Sequence, residues 1–472
     1  MSNALRHAIR NTLLFSGSAL LLTACALQSE RPELQAQDVP QQWSVPTQAD
    51  VATWPDSDWW NAFADPELST LIDTIREQNL DLANNRRNLE TAQITLREAG
   101  FELLPTGSIT LGTGASYSES RTDSGTSTGS PNTPTELGAR ISYANILAKP
   151  AIYTKALADY DSREAQVADV TLTTLGTSAS TYFQLLLIRD KIVAAQQNVQ
   201  NAQAISDIAS ARVDAGVAVP IEALQQQIAL QRETANLSNL QQSELSALAS
   251  LALLSGQRVQ GFSVSEDTLQ DIQIPQVQPG LPSELLLRRP DLVQAEAALR
   301  SATANVDVVR MAFFPDISLT GSLSASSTSL TQLLASPDTF LSLNGSALQT
   351  LLDNGQRGRN LERANLSLES SLADYRKAVL NAFNEIEVLL SNMQVQNELV
   401  EVAQQNLDAA EESFRIAQVR YQEGVTDYQT VLTSQNTLFS SRNSYLDTKL
   451  SQLNTTVNLY QALGGGWERD AE

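Results

Sequence analysis

Two hydrophobic rhythms alternate along the chain. Between residue 66 and about residue 103, Leu68, Leu71, Ile72, Ile75, Leu82, Leu89 and Leu96 keep close to a seven-residue spacing. That spacing predicts a helix, and Pro105 ends it. Over residues 107–118 the period drops to two. Ile109, Leu111, Ala115 and Tyr117 point one way, and Ser108, Thr110, Gly112, Gly114 and Ser116 point the other. Residues 119–136, rich in Ser, Thr, Gly and Pro, read as a polar loop. Leu137, Ala139, Ile141 and Tyr143 then alternate with Gly138, Arg140, Ser142 and Ala144. Two such strands fit a transmembrane β-hairpin, and equally a soluble hairpin with one buried face.

From residue 151 to about 215 there is no proline and one glycine, Gly176. This predicts a helix of ~90 Å at 1.5 Å per residue. Gly216 suits its C-terminal turn, and Pro220 opens a second helix running to Gly256.

The pattern then repeats. Asp81-Leu82, Leu89, Ala92, Pro105, Ser108 and Thr110 recur 210 residues later as Asp291-Leu292, Leu299, Ala302, Pro315, Ser318 and Thr320. Ile208-Ala209, Arg212, Gly216-Val217, Gln227 and Gly256 recur 208 residues later as Ile416-Ala417, Arg420, Gly424-Val425, Gln435 and Gly464. The chain is a tandem duplication. The second copy predicts a helix over 290–314, strands near 317–325 and 340–348, a helix over about 356–423, a turn at Gly424 and a helix to Leu463. The resulting division is a signal peptide at 1–24, a tether and equatorial segment at 25–65, and a first repeat at 66–275 with its β-hairpin at 107–145. A second repeat follows at 276–467 with its β-hairpin at 316–349, then a tail at 468–472.

The start of the chain reads as an address. Arg6 and Arg10 precede a short apolar run, and Leu22-Thr23-Ala24-Cys25 closes it. The run is shorter than the ~20 residues a spanning helix needs, so it reads as a secretory signal. The small residues before Cys25 fit a bacterial lipobox, in which the thiol is acylated; the alternative is an ordinary signal with an incidental cysteine. Ala26, not Asp, follows, which in Gram-negative lipoproteins points to outer-membrane sorting. One acyl-type anchor holds weakly by itself. No later stretch has 18 consecutive apolar residues, so no spanning helix is expected, and a β-barrel remains open as a means of insertion.

Charge and inventory narrow the chemistry. The chain has 31 basic and 53 acidic residues, a formal net charge of −22, which argues against nucleic acid. It suits a wet, cation-attracting lumen or plain solubility. The single histidine, His7, lies in the signal, and Cys25 is the single cysteine. The remainder has no imidazole for acid–base work, and no cofactor is expected beyond a covalent lipid on Cys25. Each chain offers four candidate membrane strands, whereas single-chain barrels begin at about eight. Closure therefore needs subunits, and three chains supply twelve strands.

Specific residues carry a resemblance. They are Trp59-Trp60 with Phe63, Asp65-Pro66 and Leu68; Asn79-Leu80-Asp81-Leu82; Arg289-Pro290-Asp291-Leu292; Phe313-Phe314-Pro315; and the run from Asn458 through Gly464-Gly465-Gly466 to Trp467. In this order they resemble the outer-membrane efflux proteins, TolC-like, in the lipoprotein branch that serves resistance-nodulation-division pumps. The resemblance implies a mainly α fold with a membrane β-barrel: a homotrimer whose twelve strands sit in the outer membrane, continuous with a long periplasmic α-helical barrel. It implies a passive exit duct, docked through a periplasmic adaptor to an inner-membrane efflux pump that sets the cargo. No enzymatic activity is expected. The alternatives are a duct for protein secretion or metal-ion export, or a helical spacer without a pore.

The resemblance also places sites. Gly216, Val217, Gly424, Val425 and Thr426 match the family's adaptor-docking tips. Gln429 and Thr433 take the place of the pore constriction, with Asp427, Tyr428 and Glu222 nearby. The family commonly has Asp where Thr433 stands, so an acidic ring falls to Asp427 or Glu222. The first strand-to-helix swivel also departs, reading Asn145-Ile146-Leu147-Ala148-Lys149-Pro150.

Overall fold

The computed structural model describes residues 40, 43–44, 55–121, 127–132, 135–265, 268–275, 277, 282, 285–327, 330–423, 425–426 and 428–467. Cys25 and the signal lie outside them. Contacts divide the chain into two compact units. One holds residues 89–163 and 294–375; the other holds the described residues from 40 to 88, with 164–293 and 376–472.

The helices in order are α1 (Pro66–Gln78), α2 (Leu80–Glu102), α3 (Lys149–Asp214), α4 (Pro220–Leu254), α5 (Leu285–Arg288), α6 (Pro290–Met311), α7 (Leu330–Ala335), α8 (Gln356–Gln422) and α9 (Tyr428–Ala462). The strands are β1 (Thr106–Thr113), β2 (Ser116–Arg121), β3 (Ser127–Asn132), β4 (Thr135–Tyr143), β5 (Asp316–Ser327) and β6 (Asp338–Leu348). The long helices α3 and α8 run for 66 and 67 residues, free of internal proline after the first turn.

Three details differ from the sequence expectation. The first helix is broken at Asn79, whose side chain accepts from the Asp81 and Leu82 amides at 2.9 and 3.0 Å and so starts a new helix. The expected loop at 119–136 holds the end of β2 and all of β3, paired antiparallel from Ser116↔Asn132 to Arg121↔Ser127. Ladder hydrogen bonds are main-chain bonds, so a Ser- and Thr-rich stretch forms them without an apolar signature. The short α7 sits between β5 and β6 and is too brief to show a period.

In the first unit, β1, β4, β5 and β6 form one antiparallel sheet in that order. The β4–β5 pairing joins the two repeats. Register stacks like on like. Ile109, Ala139, Leu323 and Leu341 form one cross-strand row, while Ser108, Arg140, Ser322 and Ser342 form the next. The apolar rows face open space: Ile109 is 81% exposed, Leu341 78% and Leu343 75%. Phe340 breaks the pattern, lying in the polar row opposite Ser324.

The two swivels in this unit match closely. Asn145 and Asn354 adopt left-handed φ of 52° and 53°. The Lys149 ammonium lies 4.4 Å from the centre of the Tyr143 ring and donates to the Glu102 carbonyl at the end of α2. Arg357, 208 residues on, lies 5.7 Å from the Phe313 ring and donates to the Ala312 carbonyl at 3.4 Å. The departing first swivel thus keeps the left-handed Asn and the carbonyl contact of the second, but its cation rests on a ring at the end of β4 instead of one just after α6. Asp353 is held down to about 2 by the Arg357 backbone N–H and then its guanidinium.

The second unit carries the main core. Trp59, Trp60 and Phe63 pack with Leu68, Ile72, Tyr182, Phe183 and Leu453, all buried. The Trp59 and Tyr460 rings stack at 5.3 Å, and the Tyr182 hydroxyl donates to Asp65 at 2.7 Å. Trp59, Trp60 and Asp65, which carry part of the resemblance, are therefore core residues, and the Asp65 carboxylate also accepts from the Glu67 and Leu68 amides at the start of α1.

Two joints in this unit are related by the duplication. Asn79 donates to the Leu254 carbonyl at 2.8 Å. Arg289 donates to the Ala462 carbonyl at 3.0 Å, and also to Glu385 at 2.8 Å and to both oxygens of Asp291 at 2.9 and 2.8 Å. Gly256, at φ 66°, faces the Gln78 carbonyl; Gly464, at φ 90°, faces the Arg288 carbonyl. Burial raises the Asp169 carboxyl above its usual range, the Asp291 charge adds to the rise, and Arg289 opposes it.

Candidate functional site

The two long hairpins, α3–α4 and α8–α9, end in tight tips. At the first, Gly216 takes φ 72°. Its N–H donates to the Val213 carbonyl at 2.9 Å, and the Val217 N–H reaches back to Arg212 at 3.0 Å. These bonds satisfy carbonyls that the helix end leaves unpaired, and the left-handed turn favours glycine. Pro220 stands at the first position of α4, where its missing N–H costs nothing. At the second tip the Val425 N–H reaches Arg420 at 2.8 Å, the same five-residue span.

The valine side chains at the tips are exposed. Val217 is 67% exposed and Val425 60%, and Thr426 is half-buried. A Cβ on Gly216 would meet nothing within 4 Å. The tip thus has room for a close partner backbone. Gly424 and Asp427 lie outside the described residues, as does the side chain of Tyr428, which opens α9.

Near the tips, a cavity of about 680 Å³ lies among α3, α4, α8 and α9. Glu222 and Gln429 both line it. Thr433 does not: it is exposed, and its hydroxyl donates to the Gln429 carbonyl at 2.8 Å. The expected constriction residues are therefore only partly brought together within one chain. Sequence reasoning missed Arg212, Gln418 and Gln435, which share this cavity. The signal was present in the duplication, since Arg212 and Gln435 both belong to the recurring set.

Farther up the hairpins, ion pairs link helix to helix. Arg189 on α3 meets Glu244 on α4 at 2.9 Å, Lys191 on α3 meets Asp447 on α9 at 2.6 Å, and Arg442 on α9 meets Glu411 on α8 at 2.9 Å. Partly exposed pairs of this kind contribute up to about 1 kcal/mol each, so they set register more than stability.

Comparison with known proteins agrees with this architecture. The family model for outer membrane efflux proteins matches twice, over residues 71–257 and 281–465. The pyoverdine export outer membrane protein OpmQ of Pseudomonas aeruginosa is 32% identical, covering 98% of each chain. The cation efflux system protein CusC of Escherichia coli is 27% identical over 96% of this chain and 98% of its own. The solved CmeC outer membrane channel of Campylobacter jejuni superposes with a TM-score of 0.85 at 21% identity, covering 94% of this chain and 96% of that one. The family match spans well over half the chain, in both repeats and in order: this chain belongs to the outer membrane efflux protein family.

Proposed function

We infer that this chain is the outer-membrane exit duct of a tripartite efflux system. It passively conducts substrates delivered through a periplasmic adaptor from an inner-membrane pump. One observation carries the reading. A four-stranded sheet with an exposed apolar face shares the chain with two long, largely polar helical hairpins. In lipid, only a closed barrel satisfies such strands. Neither β1 nor β6 pairs along its outer edge among the described residues, so other copies of the chain close the barrel. Three copies give twelve strands, and the hairpins of the same three copies wall a helical tube on the periplasmic side.

Docking falls to the tips. Exposed Val217 and Val425, each beside a glycine, offer small apolar knobs and open backbone to an adaptor hairpin. Val217→Glu and Val425→Glu are expected to abolish cross-linking to the adaptor while trimers persist. Unchanged cross-linking removes the docking role.

Threefold symmetry turns one side chain into a ring. Glu222 and Asp427 are our candidates for an acidic ring that concentrates cations at the narrow end. Single-channel recordings of Glu222→Gln and Asp427→Asn should show lowered conductance or cation preference; no change in either variant removes these residues from the aperture. Lipid on Cys25 supplements the barrel, and Cys25→Ser should lose lipid labelling. No cofactor and no catalytic step enter this mechanism. The similar proteins include a pyoverdine exporter and a cation exporter, so family membership does not fix the cargo.

A further inference from the structure

The cavity between the hairpins has features of a ligand site. It adjoins a second cavity of about 280 Å³, with Asn201, Phe414, Gln418 and Gln435 common to both. Along α3 the pair reaches from Ala194 to Arg212, some 27 Å at 1.5 Å per residue. The volume of the larger cavity falls within the ~300–1,000 Å³ range of small-molecule sites.

Its walls are chemically sorted. Gln435 is 9% exposed and Asn198 is 6% exposed. Both amides line this space, and neither makes a side-chain hydrogen bond among the described residues. Their polar atoms are not sealed off from the cavity, so an occupant can hydrogen-bond them in place of water. Ile205, Phe414 and buried Val431 supply an apolar surface beside them. At the tip end stand one cation, Arg212, and one anion, Glu222, neither in an ion pair among the described residues.

We propose that this space binds a zwitterionic amphiphile, with its charged head between Arg212 and Glu222 and its apolar or aromatic body against Phe414 beneath the Gln435 and Asn198 amides. Such an occupant touches all four helices and so ties one hairpin to the other. The proposal does not depend on conduction, which a separate measurement reads.

The test uses the purified full-length chain and Nε-dansyl-lysine, whose aromatic body carries an ammonium and a carboxylate. Fluorescence titration against a detergent blank should show saturable binding of one probe per chain. Arg212→Gln should weaken dansyl-lysine at least fivefold and leave uncharged dansylamide within twofold. Ala209→Trp, which fills the cavity, should abolish binding of both probes while gel filtration still shows the wild-type oligomer. If that variant loses its oligomer, Arg212→Gln alone decides the matter. Absence of saturable binding in the wild type overturns the proposal and leaves water as the occupant. So does full binding by well-assembled Ala209→Trp, or an equal effect of Arg212→Gln on both probes.

Discussion

Asn79 and Arg289 hold the same place in the two repeats, each reaching the carbonyl of the last residue of its own hairpin, Leu254 or Ala462. Asn79 does so with a neutral amide that also caps α2. Arg289 does so with a guanidinium that gathers Asp291 and Glu385 as well. Duplication preserved the connection and let its chemistry diverge. One joint is a local cap. The other is a small charged network, with Asp169 at its edge. The swivels diverged in the same way, as Lys149 on Tyr143 against Arg357 on Phe313.

The shared part of the joints is where the largest effect is expected. Gly464→Ala forces a Cβ into the Arg288 carbonyl at a positive φ. A left-handed alanine costs about 1–2 kcal/mol and overpacking about 1–3 more, so the loss should be ~3 kcal/mol. Gly256→Ala meets the Gln78 carbonyl at a longer distance and should cost less. Thermal unfolding of the detergent-solubilised assembly compares them; two equal, small shifts would contradict the steric reading of these joints.

The diverged part predicts the next effect. Arg289→Ala removes hydrogen bonds to two partly exposed carboxylates, for about 2 kcal/mol after screening. Asn79→Ala loses one cap, about 1 kcal/mol. The pH dependence separates the two further. The Asp169 carboxyl is raised in the folded chain, so it favours folding below its unfolded pKa, and that contribution is lost as pH rises through the folded value. Arg289 opposes the rise. Arg289→Ala should therefore recover part of its stability as the pH is lowered from 7 toward the carboxylate range, and Asn79→Ala should not. Parallel pH profiles would contradict the charged-network reading.

The smallest effect belongs to the swivels. Lys149→Ala and Arg357→Ala each give up a cation–π contact of about 0.5–1 kcal/mol, with Arg357 losing more because it also pairs with Asp353 at 2.8 Å. Equal shifts in the same unfolding measurement would show that the Asp353 pairing adds nothing.

These comparisons explain what the sequence made legible. Period-two alternation revealed the sheet because its two faces meet different surroundings, and the register of Ile109, Ala139, Leu323 and Leu341 follows from that difference. The helix ends were marked by Gly216 and Pro220, whose backbone limits leave few alternatives. The break at Asn79 was hidden, because the apolar rhythm runs through it and only the side-chain cap reveals it. β3 was hidden because main-chain ladder bonds need no apolar pattern, and Ser127–Asn132 shows none. At the candidate site, Glu222 and Gln429 were reached through resemblance; Gln435 was visible as a recurring position, but only the packing of four helices places it in the cavity.

The central claim is that three copies of this chain enclose a continuous aqueous path. Planar-bilayer recording of the purified full-length protein tests it most directly. The account predicts discrete, long-lived conductance steps upon insertion, with a preference for cations. Verified trimers that insert into the bilayer and pass no current, at any applied voltage, would contradict it.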